Sequence, residues 1–190
     1  MKTFTMYSLK SFMILLLGGL LFTACGQTTK GARETASAAA PAIDLQTAVV
    51  TNNLEAVREH IKAGSDLNVK DAFSSSTPLI TAATFGRTEI AKALIDAGAD
   101  LSLKNSDGST ALHAAAFFCR VEIVQALIDA RADKTLLNNF GATPRQTVLG
   151  PFNDLRPIYE MMQQQLAPMG FQLDIDGVEK ARPVVAMMLQ

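Results

Sequence analysis

Few residues in this chain could do chemistry. Its histidines are His60 and His113 and its cysteines Cys25 and Cys119. A zinc site needs Cys or His in closely spaced pairs, and none of these four has such a neighbour. A general base needs an acid or a second imidazole beside it, which the repeat pattern does not supply for His113. Arg120 adjoins Cys119 and would favour a thiolate, but an isolated thiol on a helix-helix turn reads as an inert side chain. Two columns of acids, Glu55, Glu89, Glu122 and Asp66, Asp100, Asp133, look like clusters until their spacing is counted. Each step is 34 and then 33 residues, so every column is one structural position met three times. A carboxylate near the start of a helix is favoured by the helix dipole, and an aspartate entering a loop is a turn residue. Stacked helices would hold such acids about 8 to 10 Å apart by packing alone. The chain has no Gly-rich phosphate loop, G-x-S-x-G elbow or H-E-x-x-H pair. The expectation is a non-enzyme with no catalytic residues, no metal ligands, no cofactor and no small-molecule substrate.

The elements that position these residues are repeats. Thr77-Pro78-Leu79-Ile80-Thr81-Ala82-Ala83 returns 33 residues later as Thr110-Ala111-Leu112-His113-Ala114-Ala115-Ala116. Glu89-Ile90 and Ala93 to Asp100 return as Glu122-Ile123 and Ala126 to Asp133. Ala48, Glu55, Ala63-Gly64 and Asp66 carry the frame upstream with one extra residue near Phe73 to Ser76, and Asn138 to Pro144 opens a further copy. The pattern, over roughly residues 44 to 150, resembles the ankyrin repeat family. That resemblance implies an all-α solenoid of helix-turn-helix units joined by β-hairpin loops, with about three to four repeats and a C-terminal helical cap. It also implies a protein partner, and a structural role for His113 in tying neighbouring repeats together.

Lys2 and Lys10 precede an apolar run from Phe12 to Phe22, the layout of a secretory signal peptide. Leu21-Phe22-Thr23-Ala24-Cys25-Gly26 is similar to the lipobox of bacterial lipoproteins, which implies cleavage before Cys25 and lipidation of its sulfur. Two or three acyl chains would hold the protein stably at a membrane. The resemblance divides the chain into a signal peptide (1–24), an acylated Cys with a flexible linker (25–43), the repeat domain (44–150) and a cap with a divergent tail (151–190). Gly26 after the Cys implies an outer-membrane location facing the periplasm. The formal charge of −1 becomes −3 once Lys2 and Lys10 are removed, and neither value suits a nucleic-acid binder.

Within the repeats, Leu45, Ala48 and Val49 predict a short helix, and Leu54, Val57 and Ile61 a second one after Asn52-Asn53. Thr77 as N-cap, Pro78 at the first position and Gly86 as terminator punctuate the next, with Gly64 and Gly98 ending the second helices. Cys119 and Arg131 replace the glycines of repeat two, so altered turns are expected there. Asn105 to Gly108 predicts a hairpin turn. Asp154 to Leu166 predicts an amphipathic helix with Leu155, Ile158, Met161, Met162 and Leu166 covering the last repeat. Phe171, Leu173 and Ile175 predict an extended segment, Asp176 with Glu179 a capping box, and Pro183 argues against an uninterrupted final helix.

Five of the seven phenylalanines after Cys25 fall at loop tips, Phe73 and Phe140, or at the ends of first helices, Phe85, Phe117 and Phe118. Aromatic rings beyond those that the core needs mark an interaction surface. The expected binding face centres on Phe85, Phe118 and Phe140, with Ser74, Ser106 and Asp107 on its rim. The reading is therefore a membrane-anchored interaction module in the bacterial envelope. The alternative is a regulatory, inhibitory or immunity subunit for an exported enzyme, and the weakest is an enzyme whose site lies in the tail.

Overall fold

The computed structural model describes residues 42–190, so Cys25, the lipobox and most of the linker lie outside the described residues. Three helix pairs come first: α1 (Leu45–Val50) with α2 (Leu54–Lys62), α3 (Pro78–Phe85) with α4 (Thr88–Asp96), and α5 (Ala111–Phe117) with α6 (Val121–Asp129). First helices pack on first helices and second on second, so α3 lies between α1 and α5, and α4 between α2 and α6. Thr77 accepts from Ile80 N with Pro78 behind it, and Thr110 accepts from His113 N, so each helix starts where its cap stands. Glu55, Glu89 and Glu122 all sit in the first turns of second helices, and Asp66, Asp100 and Asp133 each accept a backbone N–H two residues on, at 2.8 Å. Both columns are thus accounted for by local structure.

Buried Val49, Val57, Leu79, Ile90, Leu94, Leu112, Ile123 and Leu127 form one continuous core through all three pairs. No described residue forms a strand. The inter-repeat loops fold as tight turns without a ladder: Asn105 N donates to Ser109 O and Asn138 N to Ala142 O. In the first loop Asp71 N reaches one residue further, to Ser76 O, and Ser75 takes φ +54°. The extra residue is accommodated there.

Cys119 and Arg131 do not alter their turns. They adopt φ of +50° and +63°, in the same left-handed region as Gly86 at +68° and Gly98 at +83°. Arg120 N bonds to Ala115 O as Arg87 N bonds to Ala82 O, so packing imposes the repeat geometry on residues that resist it. The resistance is worth about 1 kcal/mol at each position.

The fourth copy stops at a 3-10 turn (Arg145–Val148), with Thr143 and Gln146 capping each other. Then come α7 (Phe152–Leu166), a second 3-10 turn (Ala167–Met169) and α8 (Ile175–Met188). The last repeat is closed by α8, which packs on α6 and the 3-10 turn through Val185, Ala186 and Leu189. The helix α7 buries Tyr159, while Ile158 and Met161 of the expected apolar face point outward. Asp174 caps α8 by accepting from Gly177 N. Asp176 and Glu179, expected as a capping box, instead flank Arg156 at 2.8 and 3.5 Å. Pro183 lies inside α8 at an exposed position, and the helix continues through it to Met188.

Candidate interaction surface

The solenoid has two long edges, one made of helix-helix turns and one of loop tips. Three of the expected binding residues belong to the turn edge, and the tail covers them. Phe85 and Phe118 are buried, and Phe117 is half-buried. After α7 the chain runs back along this edge as an extended segment whose alternate residues Phe171 and Leu173 face inward. The Phe171 ring stands edge-on to Phe85, with centroids 5.6 Å apart, and to Phe118 at 5.4 Å. Tyr159 lies over Phe117 at 4.8 Å and donates its hydroxyl to Phe117 O at 2.8 Å. Phe85 and Phe118 are therefore core, which corrects the expectation that they centre an exposed face. The repeat frame placed them at the ends of the first helices correctly, but it could not show what returns over them.

Two arginines missed in the sequence fasten this segment. Arg87 donates through Nη2 to Val50 O at 2.9 Å and to Gly170 O at 3.0 Å, bridging the preceding repeat and the tail. Arg120, one repeat on, donates through Nη2 to Thr84 O at 3.4 Å and to Gln172 O at 2.9 Å. Among the described residues neither makes an ion pair. Rings take the place of carboxylates: Arg87 lies 5.6 Å from the Phe85 centroid and Arg120 5.7 Å from that of Phe171. The sequence signal was their recurrence 33 residues apart, each just after a left-handed residue. Further along, buried Arg182 donates to Gly150 O, pinning α8 to the start of α7.

Cys119 sits beneath this cover. Burial pushes its thiol up to about 11, against the weaker pull of Arg182 and Arg120, so it stays protonated at neutral pH. A shallow open depression between α7 (Gln163), the second 3-10 turn (Ala167) and residues 170–174 has Asp174 as its one charged lining residue, and that carboxylate already caps α8. No group of three or more His, Cys, Asp or Glu suited to a metal occurs among the described residues. His113 fills the structural role that the resemblance implied. Its Nδ1 accepts from Thr110 N at 3.2 Å, which leaves Nε2–H to donate to Ala142 O at 3.0 Å across to the next copy.

The tip edge is open. Phe73 is 100% exposed and Phe140 74%. Ser106 and Asp107 of the tip between them are exposed, and Ser74 is half-buried. Phe73, Asp107 and Phe140 occupy matching places, since each donates its N–H to the side-chain oxygen of the Asp or Asn two residues before it. The tips are tied into a row. Ser106 N donates to Ser74 O at 2.8 Å and Asn139 N to Asp107 O at 2.9 Å. Gly108 lets them approach, because a Cβ there would come within 2.3 Å of Asn139 Oδ1. Below the row, Lys70 Nζ donates to Lys104 O at 2.7 Å and Lys104 Nζ to Leu137 O at 2.9 Å, so two cations stitch three repeats.

Asp71 rigidifies the enlarged first tip. Its carboxylate accepts from Phe73 N, Ser74 N, Ser74 Oγ and Ser76 N at 2.7 to 2.8 Å. Burial acts to raise its pKa, but these bonds together outweigh burial and hold it below the usual carboxylate value. Phe73 is thus presented to solvent from a braced loop.

Comparison with known proteins agrees with this geometry. The family description "Ankyrin repeats (3 copies)" matches residues 45–138. The chain is 41% identical over 64 residues to "Protein phosphatase 1 regulatory subunit 27" of Homo sapiens, covering 34% of this chain and 41% of that protein. It is 36% identical over 69 residues to "Protein PhlB" of Serratia liquefaciens, covering 36% of this chain and 30% of that one. The solved ankyrin repeat domain of Bcl-3, described as a unique member of the IkappaB protein family, superimposes with a TM-score of 0.52 at 30% identity, over 54% of this chain and 45% of that one. The chain spans less than half the length of each of these proteins. With the repeated caps, stacked helix pairs and linked tips, these matches identify the region as an ankyrin-repeat solenoid.

Proposed function

We propose that this chain is a non-enzymatic protein-interaction module, held at a bacterial membrane by lipid on Cys25, and that it grips a partner with its tip edge. One observation carries the reading. Of the five phenylalanines outside the repeat framework, those on the turn edge are covered by the tail, whereas Phe73 and Phe140 stand out from a braced, hydrogen-bonded row. Exposed aromatic anchors on a rigid frame lose little conformational entropy on binding, which suits them to be hot spots. Lipidation rests on the sequence around Cys25. It would place the module beside envelope proteins, with the linker giving it reach.

The test uses the full-length chain in cells, with a photo-crosslinking residue at position 106, in the same row as both rings. A discrete crosslinked protein, lost in Phe73→Ala with Phe140→Ala at an unchanged melting temperature, supports the reading. Crosslinking that survives the double substitution rejects the tip edge. For the anchor, a palmitate analogue should label the wild type and not Cys25→Ser. Label retained in the Ser variant would reject lipidation at Cys25.

A second reading makes the module a regulatory, inhibitory or immunity subunit of an exported enzyme. The similarity to a human phosphatase regulatory subunit favours it. If the crosslinked partner is an enzyme whose rate changes when the module is added, this reading holds. A partner without catalytic activity rejects it.

A further inference from the structure

We propose that the partner segment received by the tip edge carries a cation, a lysine or arginine flanked by apolar side chains, and that Asp107 is its counter-ion. This rests on the tip edge being the docking face. The two acids of the tips differ in what their carboxylates already hold. Asp71 is half-buried and spends its carboxylate on four hydrogen bonds inside its own loop. Asp107 uses only its backbone: its N–H goes to Asn105 Oδ1 and its carbonyl accepts from Asn139 N. Its carboxylate is exposed and makes no hydrogen bond or ion pair among the described residues.

The cations nearest in the frame are Lys70 and Lys104, one step below the tips. Their Nζ atoms are directed to the carbonyls of Lys104 and Leu137 in the following repeats, and not to Asp107. The outward order along the row is therefore ring, carboxylate, ring, contributed by Phe73, Asp107 and Phe140 from three successive tips. That order selects its occupant. A lysine or arginine set on Asp107 would form a charge-assisted pair, while its aliphatic stem and flanking apolar residues would cover the rings. An acidic segment would meet repulsion at the centre, and a wholly apolar one would strip water from an unpaired carboxylate.

Random 12-residue peptides displayed on phage, panned on the detergent-solubilised full-length chain, test this. Enriched peptides should share a basic residue with apolar neighbours. Their binding should fall about tenfold or more with Asp107→Asn, and with Phe73→Ala plus Phe140→Ala. Panning on Asp107→Lys should enrich acidic residues instead. None of these side chains is buried, so an unchanged melting temperature confirms that each variant is folded. If enriched peptides lose binding in the double Phe variant but lack a basic residue or ignore Asp107→Asn, the cationic assignment fails while the tip edge stands. If no peptide is enriched, or none responds to either change, both fail.

Discussion

Phe171 meets Phe118 edge to face, ring centroids 5.4 Å apart, and the contact joins the C-terminal tail to the third repeat. Phe171 is 2% exposed, and removing its ring would leave a cavity bounded by Phe85, Phe118 and the Arg120 guanidinium. Phe171→Ala should destabilise the domain by about 3 to 5 kcal/mol. Phe73→Ala, at a fully exposed ring, should stay within about 0.5 kcal/mol of wild type. Urea titration of the two variants side by side measures the contrast. Equal stabilities would mean that the tail is not part of the folded unit.

Arg131 holds a φ of +63° on the surface, where the repeat before it has Gly98. Arg131→Gly should stabilise by roughly 0.5 to 1 kcal/mol, because the left-handed conformation then costs nothing sterically. The reverse change, Gly98→Arg, should destabilise by a similar amount. Thermal melting reads both, and a loss of stability in Arg131→Gly would show that its side chain contributes more than its backbone costs.

His113 introduces a pH dependence. Burial lowers its pKa below the ordinary 6.5, opposed by its bond to Ala142 O and assisted by the charge of Lys104. The unfolded chain then binds a proton more readily than the folded one. Stability is full above about 6.5 and declines as pH falls from there through the lower folded-state value. Protonation would also aim an N–H of Nδ1 at the N–H of Thr110, which it now accepts. Melting temperatures from pH 8 to pH 5 should show this decline. In His113→Gln it should flatten, since Gln146 already makes the equivalent cap at Thr143 N, at 2.7 Å.

Cys119 should resist alkylation. With its thiol at about 11, only about one molecule in ten thousand is thiolate at neutral pH. In a Cys25→Ser background, iodoacetamide should modify the protein slowly in buffer and rapidly in denaturant. Equal rates would place the sulfur in contact with solvent.

The repeat frame was legible wherever a residue's role is decided within a few positions. Thr77 and Thr110 cap, Pro78 opens a helix, and the extra residue near Ser75 shows as a break in a counted period. Periodicity also placed Phe85 and Phe118 at the ends of first helices. What it could not supply was their cover, which depends on where a non-repeating tail goes. The outward turn of Ile158 and the burial of Tyr159 had the same cause: α7 packs on the turn edge, not on the face of the last repeat. Pro183 misled because a proline's cost to a helix is local and the packing of Val185, Ala186 and Leu189 on the last repeat holds α8 through it. The placing of Phe73, Phe140, Ser106 and Asp107 at loop tips was legible, and all four are exposed, whereas the hold of Arg87 and Arg120 on the tail was not, because it depends on where that tail runs.

A stack of repeats in which each unit touches only its neighbours can fray from either end, because losing a terminal unit breaks one interface. The segment from Gly170 to Gln172 removes that freedom. The carbonyls of Gly170 and Gln172 are held by arginines that also grip Val50 O in the first pair and Thr84 O in the second, and the Phe171 ring packs on Phe85 in the second pair and Phe118 in the third. Opening the first pair therefore loosens the C-terminus. The chain should behave as one cooperative unit, with backbone amides in α1 and α5 exchanging with solvent at similar free energies, where an unstrapped array would grade them from end to middle.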